Sequence, residues 1–301
     1  MTAAIQTNRL GRRYGRRWAL RDCSLALPAG HVIGLVGPNG AGKTTLLHLA
    51  VGLLTPSAGD ITVLGAPPRA PDTRSRIAFV AQDKPLYPRF TVAETLRMGG
   101  WLNPGFDQVL AGERLAHLSI GPGERVGRLS SGQQAQVALA LAIGKRPELL
   151  LLDEPVANLD PLARLEFMQT LMDEVARTGL SVVLSSHLIE DLERTCDYLV
   201  LLSRSRVQLS ATTDELLADH QMLTGPRERV EAISTSHIVV QASYTDRQAH
   251  LLIRGAAPII DPALMVRRVT LGEIVLAYMS RPETCAAPPL RAVGSAAKVS
   301  R

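Results

Sequence analysis

The chain has 301 residues, of which 46% are hydrophobic, 20% are charged and 4% are aromatic, and its formal net charge is +5. This size fits one large globular domain with a smaller appendage, and no apolar run approaches the roughly 18 residues that span a bilayer, so we expect no membrane span and no signal segment. The cysteines Cys23, Cys196 and Cys285 are widely separated, which argues against a disulfide framework and a zinc site and favours a reducing compartment.

The N-terminal part of the chain, from Ile5 to Gly65, predicts short strands separated by turns rich in Gly and Pro. Within it, residues 31–37 predict a buried strand and residues 43–54 predict a helix. An arginine cluster also lies here, made up of Arg9, Arg12, Arg13, Arg16, Arg17 and Arg21. Such a cluster can attract nucleic acid or acidic lipid, or it can form a solvated face beside a bound triphosphate. We favour the triphosphate, so nucleic acid is not an expected partner.

The middle of the chain alternates apolar strands with helices, which is typical of an α/β fold with right-handed βαβ units. The predicted strands are 77–82, 149–153, 181–186 and 198–203, and the predicted helices are 92–98, 106–118, 132–143, 161–178 and 189–195. Because three helices fall between the first two of these strands, we expect a helical block inserted into the α/β frame.

The alternation of apolar strands and helices ends at about Gln221. Alternating patterns at 237–243 and 248–254 predict a hairpin, and residues 271–279 predict a short helix. Residues 282–301 are rich in Ala, Pro, Ser and basic residues, a composition typical of a disordered tail.

A glycine-rich segment between the strand at 31–37 and the following helix matches the P-loop pattern G-x-x-x-x-G-K-[ST]. Its residues are Gly37, Pro38, Asn39, Gly40, Ala41, Gly42, Lys43, Thr44 and Thr45. Glycines let backbone N–H groups converge on phosphate at a helix N-terminus, and Lys43 supplies a formal charge. Thr44 is expected to place its hydroxyl on Mg2+. A Gly-rich turn without function is the alternative, but the strand, the spacing and the Lys-Thr pair together favour ATP binding.

A second segment places two carboxylates, Asp153 and Glu154, at the end of the apolar strand 149–153. Ligands of open α/β sheets bind at the carboxyl ends of the strands. Asp153 is therefore a candidate ligand for Mg2+, and Glu154 is a candidate general base that polarises the attacking water. A strand end with a solvated acidic cap is the alternative.

Between these two segments lies Leu129-Ser130-Ser131-Gly132-Gln133, which resembles the LSGGQ signature of ABC ATPases. With the P-loop and the paired carboxylates, the chain resembles an ABC ATPase from about Tyr14 to about Ser203. The resemblance implies a P-loop ABC ATPase fold with a mixed core sheet, an inserted helical subdomain at about 83–147 and a small C-terminal α+β extension. It also implies that Ser130, Ser131, Gly132 and Gln133 contact the γ-phosphate held by a second subunit; a plain helix N-cap is the alternative.

Four further residues take roles from the resemblance. Tyr14 matches the aromatic residue that stacks on adenine, although an isolated Tyr could equally belong to the core. Gln82 matches the glutamine that senses Mg2+, water and the membrane partner. Asp160 matches the loop that crosses the dimer interface, and His187 matches the switch histidine that binds the γ-phosphate, although a lone His is more often structural.

Three residues depart from the usual pattern of the family. Ser131 replaces the first glycine of the signature pair, and Gln136 and Leu141 replace residues that are Arg in many members. Because Ser is small, we expect altered but not abolished activity. The two lost arginines put in doubt the salt bridges that normally brace the signature helix.

The resemblance thus implies an ATPase domain over 1–220, an extension over 221–301, the cofactors ATP and Mg2+, and a homodimer of ATPase subunits. The predicted function is to power export of a drug, antibiotic or lipid-like substrate through a separate membrane permease, which would hold the chain on the cytoplasmic face of the membrane. Two alternatives stay open: an importer ATPase, and a soluble ABC ATPase that acts on nucleic acid or the ribosome.

Overall fold

A computed structural model describes residues 3–186, 189–234, 237–245, 248–255 and 261–280. The strands are β1 (Ala3–Tyr14), β2 (Arg17–Pro28), β3 (Val32–Val36), β4 (Ala58–Val63), β5 (Ile77–Val80), β6 (Leu149–Asp153), β7 (Ser181–Ser186), β8 (Tyr198–Ser203), β9 (Arg206–Thr212), β10 (His220–Pro226), β11 (Ile238–Tyr244), β12 (Gln248–Arg254) and β13 (Met265–Arg268). The helices are α1 (Lys43–Ala50), α2 (Pro71–Ser75), α3 (Val92–Leu102), α4 (Gln108–His117), α5 (Ser131–Gly144), α6 (Pro161–Thr178), α7 (Ile189–Glu193), α8 (Thr213–Asp219), α9 (Arg227–Ser234) and α10 (Leu271–Ser280).

The central element is a six-stranded sheet in the order β5-β6-β7-β3-β8-β9. Its inner strands are runs of Val, Leu and Ile, and every residue of β3 and β6 is buried, as expected for a sheet covered on both faces. The first five strands run parallel, and β9 pairs antiparallel with β8. The predicted α/β class with a mixed core sheet is therefore confirmed.

A second sheet, β2-β1-β4, is antiparallel and covers the N-terminal part of the core. Apolar residues of β1 and β2, such as Ile5, Leu10 and Leu20, share one buried cluster with Leu46 of α1 and Leu35 of β3. Residues of both sheets thus pack against α1, and this packing holds the start of the helix near the end of β3. The helix ends at Ala50, earlier than predicted, because the chain takes up a left-handed conformation at Gly52, with φ of 75°.

The predicted helical block is present as α3, α4 and α5 with a 3-10 turn at Val126–Arg128. It has a core of its own, formed by Leu96, Leu115, Ile120 and Val137 among others. Helix α5 also contributes Leu139 to the main core, so this helix is shared by the block and the α/β frame. Each helix in the described part of the chain is too short or too polar to span a bilayer.

The C-terminal part forms an antiparallel sheet in the order β11-β12-β10-β13, which contains the predicted hairpin as β11 and β12. Val230 of α9 packs on one face of this sheet with Leu223 and Leu251. Leu252, on the opposite face, joins the main core together with Ile274 of α10. The small α+β extension is confirmed as part of the fold, and the predicted tail at 282–301 lies outside the described residues.

Candidate nucleotide site

The P-loop runs from the carboxyl end of β3 to the start of α1, as the sequence predicts. Gly37 has φ of 155°, and a Cβ atom there would lie 2.1 Å from the Leu202 carbonyl oxygen. Gly42 has φ of 107°, and its Cβ would lie 2.4 Å from the carbonyl oxygen of Ala19. Only glycine fits both positions, because they combine a left-handed backbone with direct contact to neighbouring main chain.

Lys43 begins α1 and lies inside this loop, with 5% of its surface exposed. Its Nζ atom donates a hydrogen bond of 2.8 Å to the Gly37 carbonyl oxygen and lies 3.4 Å from Oε1 of Glu154. The P-loop and the acidic strand end are therefore joined directly. A charge this buried is stable because both a carbonyl and a carboxylate compensate it.

The two carboxylates at the end of β6 have different partners. Asp153 is 2% exposed, and its Oδ1 accepts a hydrogen bond of 2.7 Å from the hydroxyl of Ser185 on β7. The same hydroxyl accepts a bond of 2.8 Å from the backbone N–H of Glu154. Glu154 adopts φ of 44°, a conformation unusual for a residue with a side chain, and such strain often occurs at functional sites.

Gln82 completes this group of side chains. Its Nε2 atom donates a bond of 3.5 Å to Oε2 of Glu154. Lys43, Gln82 and Glu154 therefore meet at one place, although they come from α1, the segment after β5 and the end of β6. The structure brings together the three predicted catalytic residues that it describes; the fourth, His187, lies outside the described residues.

An open cavity of about 550 Å3 lies over the P-loop. Its lining consists of Tyr14, Arg17, Ala19, Asn39, Gly40, Gly42, Lys43, Thr44, Thr45, Gln82 and Glu154. Among the remaining predicted residues, Gly37, Pro38 and Ala41 belong to the same loop without lining the cavity, and Asp153 is buried and does not line it either. The cavity combines polar groups with one aromatic side chain, which suits a ligand that has both phosphates and a planar base.

Tyr14 lines this cavity with 49% of its surface exposed, so it is not a core residue. The guanidinium of Arg12 lies 5.0 Å from the centre of its ring. Arg17, which the sequence analysis named only as one of six clustered arginines, lines the cavity beside Gly40. The sequence held a signal for it, because Arg17 follows Tyr14 by three residues across a tight β1-β2 turn.

The signature segment starts α5, where Ser130 is the N-cap residue. Its hydroxyl accepts a hydrogen bond from the Gln133 backbone, and Gln133 accepts one in return from the Ser130 N–H. Ser130 and Ser131 are exposed, and none of the four signature residues Ser130, Ser131, Gly132 and Gln133 lines the cavity. The signature is therefore not part of the cavity that the P-loop lines.

Asp160 lies close to this segment in the fold. Its Oδ1 accepts hydrogen bonds from the N–H groups of Leu162 and Ala163, so it caps α6. A Cβ at Gly132 would lie 2.7 Å from Cβ of Ala163, which shows how closely the starts of α5 and α6 approach. The start of α5, which carries the signature, and the start of α6, which Asp160 caps, are therefore neighbours.

Comparison with known proteins agrees with this geometry. The profile of the family described as ABC transporter matches residues 20–157. The Nod factor export ATP-binding protein I of Cupriavidus metallidurans is 34% identical over 225 residues, which are 72% of this chain and 74% of that protein. The chain belongs to the family of ABC transporter ATP-binding proteins. Members of this family are ATPases coupled to transport, so the predicted enzyme class is confirmed.

Other relatives and solved structures support the same assignment. The ABC transporter ATP-binding protein YtrB of Bacillus subtilis is 30% identical over 72% of this chain and 74% of its own length. The protein from Cupriavidus pinatubonensis with the same name as the first relative is 36% identical, and the match spans 65% of its length. A solved ATP-binding subunit of an ABC transporter is 28% identical, with a TM-score of 0.63 over 71% of this chain and 91% of that one.

The residues at this site also fit Mg2+. The Thr44 hydroxyl is exposed in the cavity and makes no hydrogen bond within the described part of the chain. Asp153 uses Oδ1 for Ser185 and keeps its other carboxylate oxygen without a partner in the same described residues. A hydroxyl and a carboxylate oxygen are the hard ligands that Mg2+ prefers.

Proposed function

We propose that the chain hydrolyses ATP at two sites shared between the subunits of a homodimer, and that this drives export through a separate membrane permease. One observation carries the proposal: the cavity is lined by residues of the P-loop, Gln82 and Glu154, whereas no residue of the signature lines it. A second copy would supply the missing signature. A solved bacterial ABC cassette of 24% identity, whose TM-score is 0.62, is itself dimeric.

In this proposal, the residues 1–220 form the ATPase domain, and Lys43 has the first role in the reaction. Its ammonium lies 3.4 Å from Glu154. A bound triphosphate would compete for this ammonium, which would leave the Glu154 carboxylate able to accept a proton from water. Gln82, bonded to the same carboxylate, would orient that water. Thr44 directly and Asp153 through water would hold Mg2+, whose chemistry is to neutralise charge on the phosphates.

The test compares two substitutions within this site. Glu154→Gln should keep ATP binding and slow hydrolysis by roughly 100-fold or more, because it removes a general base. It should also accumulate a dimer that size exclusion detects only with ATP. Lys43→Ala should instead weaken ATP binding. If both variants bind ATP equally and lose the same activity, the assigned roles are wrong.

The permease is proposed from the family and from one surface. Two relatives are named as export ATP-binding proteins, which favours export over import. Just after Gln82, the side chain of Tyr87 is 56% exposed and stacks on Phe90 at 5.1 Å between ring centres. Leu86 differs, because it is partly buried and packs against two core clusters. Tyr87 is therefore the residue of this pair that suits contact with a partner.

Co-purification from detergent-solubilised membranes tests this partnership. The unaltered chain should bring down a polytopic membrane protein, and Tyr87→Asp should weaken that capture while ATP binding stays near normal. Tyr244, which is 47% exposed on β11, offers the matched control Tyr244→Asp. Absence of any membrane protein from the unaltered sample would count against a transport function.

A further inference from the structure

Six arginines lie in the first two strands and the turn between them, and the structure separates them by what their side chains contact. Arg12 donates a hydrogen bond of 2.9 Å from Nη1 to the Thr55 carbonyl oxygen, and the guanidinium of Arg13 lies 5.6 Å from the centre of the Trp18 ring. Among the six, all of which the structure describes, Arg17 alone lines the cavity over the P-loop. The cluster is therefore not one uniform basic surface, because one member belongs to the nucleotide cavity.

A tight turn holds Arg17 at this place. Strand β1 ends at Tyr14, β2 begins at Arg17, and these two residues are direct partners in the antiparallel pair. Gly15 between them has φ of 56°, the left-handed conformation that a short hairpin turn requires. Directly paired residues place their side chains on the same face of the two strands. One turn thus carries both an aromatic ring and a guanidinium to the lining of the cavity.

The guanidinium of Arg17 extends to the P-loop. A Cβ atom at Gly40 would lie 3.9 Å from Nη2 of Arg17, and no other described residue except the chain neighbours of Gly40 has an atom within 4 Å of that point. The space over this glycine is therefore open to a ligand and is bordered by the guanidinium. Lys43 of the same loop is buried, whereas Arg17 is exposed, so the cavity has one buried and one exposed cation.

The cavity has positive charge that the chain itself does not neutralise. The charged side chains of its lining are Arg17, Lys43 and Glu154. Glu154 lies 3.4 Å from Lys43, whereas the Arg17 guanidinium has neither a hydrogen bond nor an ion pair within the described ranges. Arginine forms its strongest hydrogen bonds with carboxylate and phosphate, because their paired oxygens match its fork of N–H donors. Beside a phosphate-binding loop, the ligand that fits this guanidinium is the phosphate chain of a nucleotide.

We propose that Arg17 is a second cationic binding residue for the nucleotide, and that its guanidinium pairs with the phosphate chain of ATP in addition to Lys43. The inference rests on the proposed ATP site and adds a residue to it. Tyr14 would contact the base and Arg17 the phosphates, so the two residues at the ends of one turn have separable roles. An arginine that only forms a solvated rim of the cavity is the alternative that the experiment excludes.

Affinities for two probes test this division of roles. Displacement of a fluorescent ATP analogue gives the Kd of Mg2+-ATP and that of inorganic tripolyphosphate, which has the phosphates and no base. Arg17→Gln should weaken binding of both probes by about tenfold, because it removes charge-assisted hydrogen bonds to phosphate. Tyr14→Ala should weaken binding of ATP and leave tripolyphosphate unchanged. Weaker binding of ATP by Arg17→Gln without weaker binding of tripolyphosphate would overturn the proposal, since Arg17 would then act on the base.

Arg16→Gln is the matched control. Arg16 is an exposed arginine of the same turn that does not line the cavity, so its replacement removes the same charge and should leave both affinities near normal. If Arg16→Gln weakened binding as much as Arg17→Gln, the effect would be one of net charge and the inference would be wrong. Arg17→Lys retains the charge without the fork of donors, so its affinity for ATP should lie between those of Arg17→Gln and the unaltered chain.

Ionic strength provides a readout that a purely structural role would not change. Salt should weaken ATP binding by the unaltered chain more than binding by Arg17→Gln, because the variant has lost one exposed charge that salt screens. Equal salt dependence of the two proteins would contradict the pairing.

Two outcomes separate this inference from the proposed function. If the unaltered chain binds no ATP, the proposed function fails and the inference fails with it. If the unaltered chain binds and hydrolyses ATP, and Arg17→Gln binds both probes as tightly, the proposed function stands and only the inference fails.

Discussion

At the scale of single residues, Gln136 is the clearest departure from ordinary packing. It lies on α5 with 5% of its surface exposed, and neither amide atom has a hydrogen-bond partner within the described residues. An unsatisfied buried amide costs about 1 to 3 kcal/mol. We therefore expect Gln136→Met to raise the free energy of unfolding by about 1 kcal/mol, because Met has a similar shape and no polar amide.

Gln134 provides the matched control on the same helix. Its Nε2 atom donates a hydrogen bond of 3.0 Å to the Leu129 carbonyl oxygen. Gln134→Met should therefore leave stability unchanged or lower it slightly. Urea unfolding followed by circular dichroism measures both variants. If Gln136→Met lowered the free energy of unfolding as much as Gln134→Met does, or more, the Gln136 amide would be hydrogen-bonded in solution and the prediction would be wrong.

Tyr14 allows a second prediction at this scale. If its ring stacks on adenine, Tyr14→Ala should weaken ATP binding by about 1 kcal/mol, which is roughly fivefold in Kd, whereas Tyr14→Phe should bind nearly as well. Titration with a fluorescent ATP analogue measures both constants. Tyr87→Ala changes an exposed tyrosine that does not line the cavity and serves as the control. Equal affinity of the Ala and Phe variants would exclude stacking.

The sequence was most informative where chemistry demands a fixed pattern. The P-loop, Asp153 and Glu154 were predicted because phosphate and metal chemistry permits few substitutions at fixed spacing, and the structure brings Lys43 to 3.4 Å from Glu154. The bond from Ser185 to Asp153 was not predicted, because it joins neighbouring strands that are far apart in sequence. Arg17 was predicted only as one of six clustered arginines, and its place three residues after Tyr14 was the signal that would have distinguished it.

At the scale of elements, the buried parallel strands were predicted best. The bounds of β6, β7 and β8 agree with the prediction, because continuous apolar runs flanked by turns have few other interpretations. Strands β10 and β13 were not predicted. The four residues of β13 are all exposed, and β10 mixes polar and apolar residues, so neither shows a period that a sequence could reveal.

Helix α10 allows a prediction of pH dependence. Hydrogen bonds from Arg267 and from the Thr270 backbone lower the pKa of Glu273 from 4.5 to about 2. Because the folded pKa lies below the unfolded value, this carboxylate stabilises the fold at pH values above the unfolded pKa. The stabilisation decreases as the pH falls towards the folded pKa.

We therefore expect Glu273→Gln to be less stable than the unaltered chain at neutral pH, with a difference that shrinks between pH 4.5 and about 2. Thermal unfolding at a series of pH values measures this. Glu113 is exposed and has no ion pair in the described part of the chain, so Glu113→Gln is the control. A difference that grows on acidification would have the wrong sign and would contradict the assignment.

At the scale of the whole molecule, one core joins the ATPase part to the C-terminal sheet. Leu192 of α7, Leu201 of β8 and Ile274 of α10 belong to the same cluster. The Gly272 N–H also donates a hydrogen bond of 2.8 Å to Oε1 of Glu193 at the end of α7. The extension is therefore packed against the element that follows β7, close in sequence to the predicted switch residue His187. Sequence patterns could not predict this contact, because the sequence of a helix shows that it has an apolar face but does not show which element that face packs against.

The central claim is that each ATP site is made by two chains, and mixing two inactive variants tests it most directly. Lys43→Ala disables the P-loop. Ser131→Glu places a negative charge where the signature would meet the phosphate, at a helix N-terminus that tolerates an acidic residue. Each variant alone should have very low ATPase activity. An equimolar mixture should recover about one quarter of the unaltered rate, because half of randomly formed dimers contain one intact site. Activity of the mixture no higher than the average of the separate variants would contradict the shared site.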